Sequence, residues 1–122
     1  MKYDVFTARV IKIAQYYGLE PQTDQLIEEC NELALATSKY KRALRKGKID
    51  IKCLENLVSE IADVEIMITQ IKSLLNITDE HVNAQKIFKV TRQEKRIAKE
   101  IERKNEKQNN DCIPCIEYLP DK

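Results

Sequence analysis

Residues 54–75 read LENLVSEIADVEIMITQIKSLL, and this stretch decides the fold. Leu54, Leu57, Val58, Ile61, Val64, Ile68, Ile71, Leu74 and Leu75 recur at three and four, the period of a helix with a buried face. Ile66 and Met67 widen the stripe, so the helix is expected to be buried on more than one side. Asp50 stands where a cap belongs.

Upstream, a basic connector, Arg45-Lys46-Gly47-Lys48, separates this helix from an earlier one starting near Pro21 or Thr23 and ending near Arg45. Pro21 suits a first turn, and Thr23 and Asp24 suit an N-terminus. Its apolar stripe is read as Leu26, Cys30, Leu33, Ala34, Thr37 and Leu44. A first helix is expected from about Tyr3 to Tyr17, burying Val5, Ala8, Ile11 and Ile13 and ended by Gly18. Downstream, Thr78 and Asp79 open a fourth helix, heavily charged in its later part and expected to end near Glu106. The segment NNDCIPCIEYLPDK has two Pro and no period, and reads as a tail or a short docking strap. The expected organisation is one all-α, four-helix-bundle-like domain over residues 1–108 and a C-terminal tail over 109–122.

Composition agrees. A chain of 122 residues can bury one core without staples, and 2 Gly and 3 Pro leave little material for the turns of an all-β fold. The 21 basic and 20 acidic residues give a net charge of +1, so no global field draws the chain to nucleic acid or membrane. No stretch reaches the roughly 18 apolar residues of a membrane helix. The start, MKYDVFTARV, does not read as a signal peptide, and a soluble, reducing, cytoplasmic setting is expected. Cys30 and Cys53 lie inside helical patterns, where a Cys is usually a small buried hydrophobe.

The chemistry lies in four acids. Glu29 and Glu32 sit three apart on the second helix, and Glu60 and Asp63 three apart on the third, spacings that put each pair on one face. Leu26, Glu29, Leu33 and Ala36 form one helical row; Leu57, Glu60, Val64 and Met67 form another. Acids in such rows face a partner helix, where an unpaired carboxylate costs several kcal/mol. No Lys or Arg stands in either row, and a divalent cation would supply the missing charge. All-oxygen ligands favour Mg2+ or Mn2+. The lone His81 is distant in sequence, so the Glu-x-x-His pattern of di-iron bundles is absent. Acid pairs at this spacing also occur by chance on solvated helices; two pairs in core-facing rows set these apart.

Glu28-Glu29-Cys30-Asn31-Glu32 matches E-E-x-x-E, Glu60-Ile61-Ala62-Asp63 matches E-x-x-D, and 27 residues separate Glu32 from Glu60. In these motifs, their spacing and their flanks LIEECNELALA and NLVSEIADVEIMITQI, the chain resembles the MazG-like all-α nucleoside triphosphate pyrophosphohydrolases from about Ile11 to Arg96. Gly18 and Gln22 sit where that family often has a Gly and a Gln. The resemblance implies Mg2+-dependent cleavage of an NTP or dNTP between the α- and β-phosphates, giving a monophosphate and pyrophosphate. It implies Glu29, Glu32, Glu60 and Asp63 as metal ligands. Glu28 would orient or deprotonate the attacking water, or simply be exposed. Basic residues after the second metal helix would meet the triphosphate: Lys89, Arg92 and Arg96, with Lys86 competing and Lys99 and Arg103 continuing the row. Gln22, Tyr16 and Tyr17 are candidates for the base pocket, although aromatics near a helix end are more often core. A homodimer or homotetramer is implied, completing the fold and the pocket.

Other readings stand beside this one. The same helices can serve as a non-catalytic interaction or structural module, motivated by the long charged fourth helix and the tail. An RNA-binding helical protein using the basic stripe is a third reading, although nucleic acid is not the expected partner. Cys112 and Cys115 supply two of the four ligands of a zinc site, or a redox pair, or two plain thiols. No Gly-rich phosphate loop is present.

Overall fold

The computed structural model describes residues 3–48 and 50–117, with side chains described up to 110. Among them are four helices and no strand: α1 (Val5–Tyr17), α2 (Leu19–Arg45), α3 (Ile51–Leu74) and α4 (Asp79–Glu117). The all-α expectation holds. The chain divides into two compact units, one ending at Thr78 and carrying α1–α3, the other beginning at Asp79 and carrying α4.

Local chemistry sets the boundaries. The Thr7 N–H donates to Asp4 Oδ1 at 2.6 Å, and the Cys53 N–H to Asp50 Oδ1 at 3.2 Å, so α1 and α3 each start on a capping aspartate. Gly18 alone joins α1 to α2. Its φ of 89° lies in the region open to glycine, and its N–H closes α1 on the Ala14 carbonyl. α2 begins at Leu19, earlier than expected; Pro21 is tolerated because the first helical N–H groups have no partner inside the helix.

Asp50 makes the α3 cap testable. The Cys53 backbone N–H first, and its thiol second, hold the Asp50 carboxyl below its ordinary value of 3.8. A depressed carboxylate contributes stability that is complete above the unfolded pKa and is lost as pH falls through the folded one. Asp50→Ala is therefore expected to lower Tm by a few degrees at pH 7, and the gap from wild type to close on acidification below about pH 4. Circular-dichroism melts between pH 7 and pH 2 measure it.

The first unit is built on α2 and α3, with α1 packed on both. One inward row of α2 is Gln22, Leu26, Glu29, Leu33, Ala36, Tyr40 and Ala43, and one of α3 is Cys53, Leu57, Glu60, Val64, Met67, Ile71 and Leu74; Asp63, Ile66 and Gln70 lie beside the α3 row and are also turned inward. Both sets step four, three, four, three, a 3.5-residue period that keeps two helices in contact along their length. The helices run antiparallel, and two contacts fix their register. Glu29 adjoins Asp63, and seven residues further along each helix Gln22 donates to Gln70 at 2.6 Å. Gln70 also donates to the Val10 carbonyl at 3.1 Å, tying α1 to the pair. Gln70 is 2% exposed and Gln22 7%.

The structure corrects several expected core positions. α1 buries Val10, Ile11 and Ala14, while Val5, Ala8 and Ile13 point outward, because α2 and α3 cover only one side of it. On α2, Cys30, Ala34, Thr37 and Leu44 are exposed; the inward row runs one position earlier, through Glu29 and Leu33. α3 is not buried all round. Leu54, Val58, Ile61, Ile68 and Leu75 are exposed, since two neighbours cannot enclose a third helix. α4 runs to Glu117, past the expected end near Glu106. The side chains of Cys112 and Cys115, and residues 118–122, lie outside the described residues.

Candidate metal centre

The packed faces of α2 and α3 bring together Glu29 and Glu60, from the two inward rows, and Asp63, beside the α3 row. Each is half-buried, and one carboxylate oxygen from each lies within 4.8 Å of the others. Leu33, Leu57, Val64 and Met67 continue the same rows and surround the acids with apolar surface.

Glu29 Oε1 accepts from Gln25 Nε2 at 2.8 Å, one helical turn back. Glu29 Oε2 and Glu60 Oε2 are buried with no hydrogen-bond partner among the described residues. Leaving such an acceptor unsatisfied costs about 1–3 kcal/mol, more when it is charged. The Gln25 amide pulls the Glu29 pKa down, but burial, repulsion from Asp63 and Glu32 and contact with the Asp63 carboxylate together carry it above 4.5. The groups acting on Glu29 include no Lys or Arg.

These facts fit a hard divalent cation. The donors are all carboxylate oxygens, two are buried and unsatisfied, and their separation is comparable to the span across such an ion, about 4–5 Å. A cation would neutralise the repulsion and occupy both orphaned oxygens.

The raised Glu29 pKa sets a pH dependence opposite in sign to that of Asp50. A carboxyl whose folded pKa exceeds its unfolded value contributes stability below the unfolded pKa and loses it as pH rises through the folded one. In EDTA, Tm is expected to fall as pH rises from about 4.5 through the Glu29 titration, and Glu29→Gln to remove that fall. Mg2+ should reverse the trend by holding the carboxylate ionised.

Glu32 is exposed and outside the three-acid group, yet near enough to repel Glu29. Glu28 is exposed on α2. Gln22 is held in the core by Gln70. Tyr16 and Tyr17 face outward on α1, ring centroids 5.0 Å apart and edge to face, beside Arg9, Lys12 and Ile13. Lys89, Arg92 and Arg96 are exposed on α4, in the second unit, with the Arg92 guanidinium 5.7 Å from the centre of the Phe88 ring. Two residues were missed from sequence. Gln25 was detectable, being four residues before Glu29; Gln70 was not, since its partners lie 48 and 60 residues away.

No family model, no curated protein and no solved structure matches the chain. Among the described residues no helix is long and apolar enough to cross a membrane.

Proposed function

We propose that Glu29, Glu60 and Asp63 bind Mg2+, with Mn2+ as a substitute, and that the protein hydrolyses a nucleoside triphosphate to its monophosphate and pyrophosphate. The observation that carries this reading is the convergence of three half-buried carboxylates, two with orphaned oxygens, on helix faces whose immediate neighbours Leu33, Leu57, Val64 and Met67 are apolar. The motif resemblance to the MazG-like family supplies the reaction class.

In this reading the metal, when bound, supplies charge neutralisation on phosphate oxygens and a lowered pKa for a bound water. Glu29, Glu60 and Asp63 hold it, and Gln25 fixes the Glu29 rotamer through its hydrogen bond. Glu32, exposed beside Glu29, is available as a further ligand. Glu28 is the candidate to orient or deprotonate the attacking water. Lys89, Arg92 and Arg96 are the proposed triphosphate contacts, matching planar or point cations to phosphate oxygens. Gln22, held by Gln70, acts on the base side only through the packing of α2. The proposed setting is cytoplasmic, and the role is housecleaning or nucleotide-pool control.

A homodimer or homotetramer is part of the proposal. Its support is the exposed row Ile51, Leu54, Val58, Ile61, Ile68 and Leu75, which steps three, four and three to Ile61 and then by sevens down the outer face of α3. The same row favours the second reading, a helical interaction module without catalysis.

Product analysis separates the two. Purified protein, Mg2+ and a panel of ribo- and deoxyribonucleoside triphosphates are expected to yield monophosphate and pyrophosphate in equal amounts, and nothing in EDTA. Mg2+ is also expected to raise Tm, because a ligand of the folded state alone must stabilise it. Release of orthophosphate would overturn cleavage between the α- and β-phosphates, and no turnover with no Tm shift would overturn the enzymatic reading.

A further inference from the structure

α4 carries Lys89, Arg92, Arg96, Lys99, Arg103 and Lys107 at steps of three or four residues, and all six are exposed. At about 100° per residue they fall within an arc of about 80°. No Asp or Glu enters that arc: Glu100 and Glu106 flank its edges, and Glu94 and Glu102 lie further round. Ile87, Val90, Ile97 and Ile101 form a second arc, also exposed, on the opposite side of the helix.

The length of the cationic arc identifies the kind of anion. From Lys89 to Lys107 the helix rises about 27 Å, at 1.5 Å per residue. That is the axial length of about eight base pairs of duplex, at about 3.4 Å each, a span that presents phosphates of both strands. A triphosphate engages only the first three of these cations, leaving Lys99, Arg103 and Lys107 without a task in the proposed reaction. Although the whole chain is near neutral, exposed charges act within about a Debye length, near 8 Å, so the local balance decides, and there six cations outnumber the flanking Glu100 and Glu106.

The placement of the apolar arc excludes a membrane as the better partner. A helix lying in a bilayer interface sinks its apolar face and needs its cations beside that face, at the headgroups. Here the six cations of the arc point the opposite way; Lys86 and Lys104 alone flank the apolar arc, on one side of it, and Glu94 stands inside it. Binding to single strands relies on aromatic platforms, and Phe88 is the single Phe, Tyr or Trp on the described part of α4, already faced by Arg92. We infer that α4 is a sequence-independent rail for the phosphate backbone of a nucleic-acid duplex.

The test is fluorescence anisotropy of the full chain with a labelled mixed-sequence duplex of 30 base pairs, from 50 to 200 mM KCl. With no nucleoside triphosphate present all six cations are open to the duplex, and six phosphate contacts predict a salt slope of about −5, an affinity loss of roughly 1,000-fold over that range. Replacing Lys99, Arg103 and Lys107 by Gln, a good helix former, is expected to cut the slope to about −2.7 and the loss to roughly 40-fold. A matched triple variant off the arc, Lys86, Lys95 and Lys104 to Gln, is expected to change the slope much less. Equal effects of the two sets, no binding at 50 mM KCl, or tighter binding to vesicles of anionic phospholipid would each overturn the inference. Circular dichroism on both variants checks that α4 persists; loss of helix in the first set moves the decision to single substitutions at Lys99 and Lys107, expected to remove about 0.9 from the slope each. Glu60→Gln should leave duplex binding intact, so failure of this inference is distinct from failure of the metal site.

Discussion

Glu60→Gln is expected to eliminate triphosphate hydrolysis while making the metal-free protein harder to melt. The two effects have one cause. Glu60, Glu29 and Asp63 place three carboxylates within 4.8 Å, and removing one charge relieves repulsion that the folded chain bears without a cation. An amide at position 60 also brings a donor to the oxygens that lack one. The gain is expected to be on the order of 1 kcal/mol, some 4–8 °C for a unit of this size. The loss of turnover should be at least 1,000-fold, because the site keeps neither the charge nor the ligand number to hold the metal. The Mg2+-induced rise in Tm should vanish with it. Melting in EDTA and in Mg2+, beside product analysis, reads all three. A variant less stable in EDTA than wild type would show that these acids stabilise the fold, contradicting the site.

Gln70→Leu is expected to be the most damaging change in the first unit. The substitution keeps apolar volume but deletes both hydrogen bonds, stranding the Gln22 amide in the core. A buried donor left unpaired, with some misfit of shape, costs about 2–4 kcal/mol, or roughly 10–20 °C in Tm. The Val10 carbonyl suffers less, since it keeps its place in the helical ladder of α1. Adding Gln22→Leu should recover most of the loss, because removing both partners leaves nothing unsatisfied. Urea unfolding of the two single variants and the double one gives the coupling energy. If the two losses simply add, the amide pair is not the link between α1, α2 and α3.

The difference between these two sites explains what the sequence could and could not disclose. Glu29, Glu60 and Asp63 were legible because a carboxylate within a row of Leu, Val and Met conflicts with its neighbours. Gln22 and Gln70 were not legible as a pair, because an uncharged amide in such a row raises no comparable conflict and its partner is chosen by three-dimensional register. Cys30 was misplaced for a related reason. Its helix has apolar residues at adjacent positions, and one residue of phase decides whether Cys30 or Glu29 turns inward. The outer row of α3 was read as core because periodicity reports that a face is apolar, not how many neighbours cover it. The end of α4 was not legible because Asn109 and Asn110, weak helix formers that often close a helix, follow the charged run, yet the helix continues through them to Glu117.

The seven-residue interval between the Gln22–Gln70 contact and the Glu29–Asp63 contact acts as a mechanical key. Seven residues return each helix to nearly the same facing, so the neutral pair and the charged pair point into the same seam. A single residue inserted between positions 22 and 29 would swing Glu29 by about 100° relative to Gln22, and one of the two contacts would have to break. The same insertion made in whole sevens on both helices would lengthen the bar without turning the lock. The amide pair thus works as an alignment pin, keeping one rod from sliding or rotating against the other.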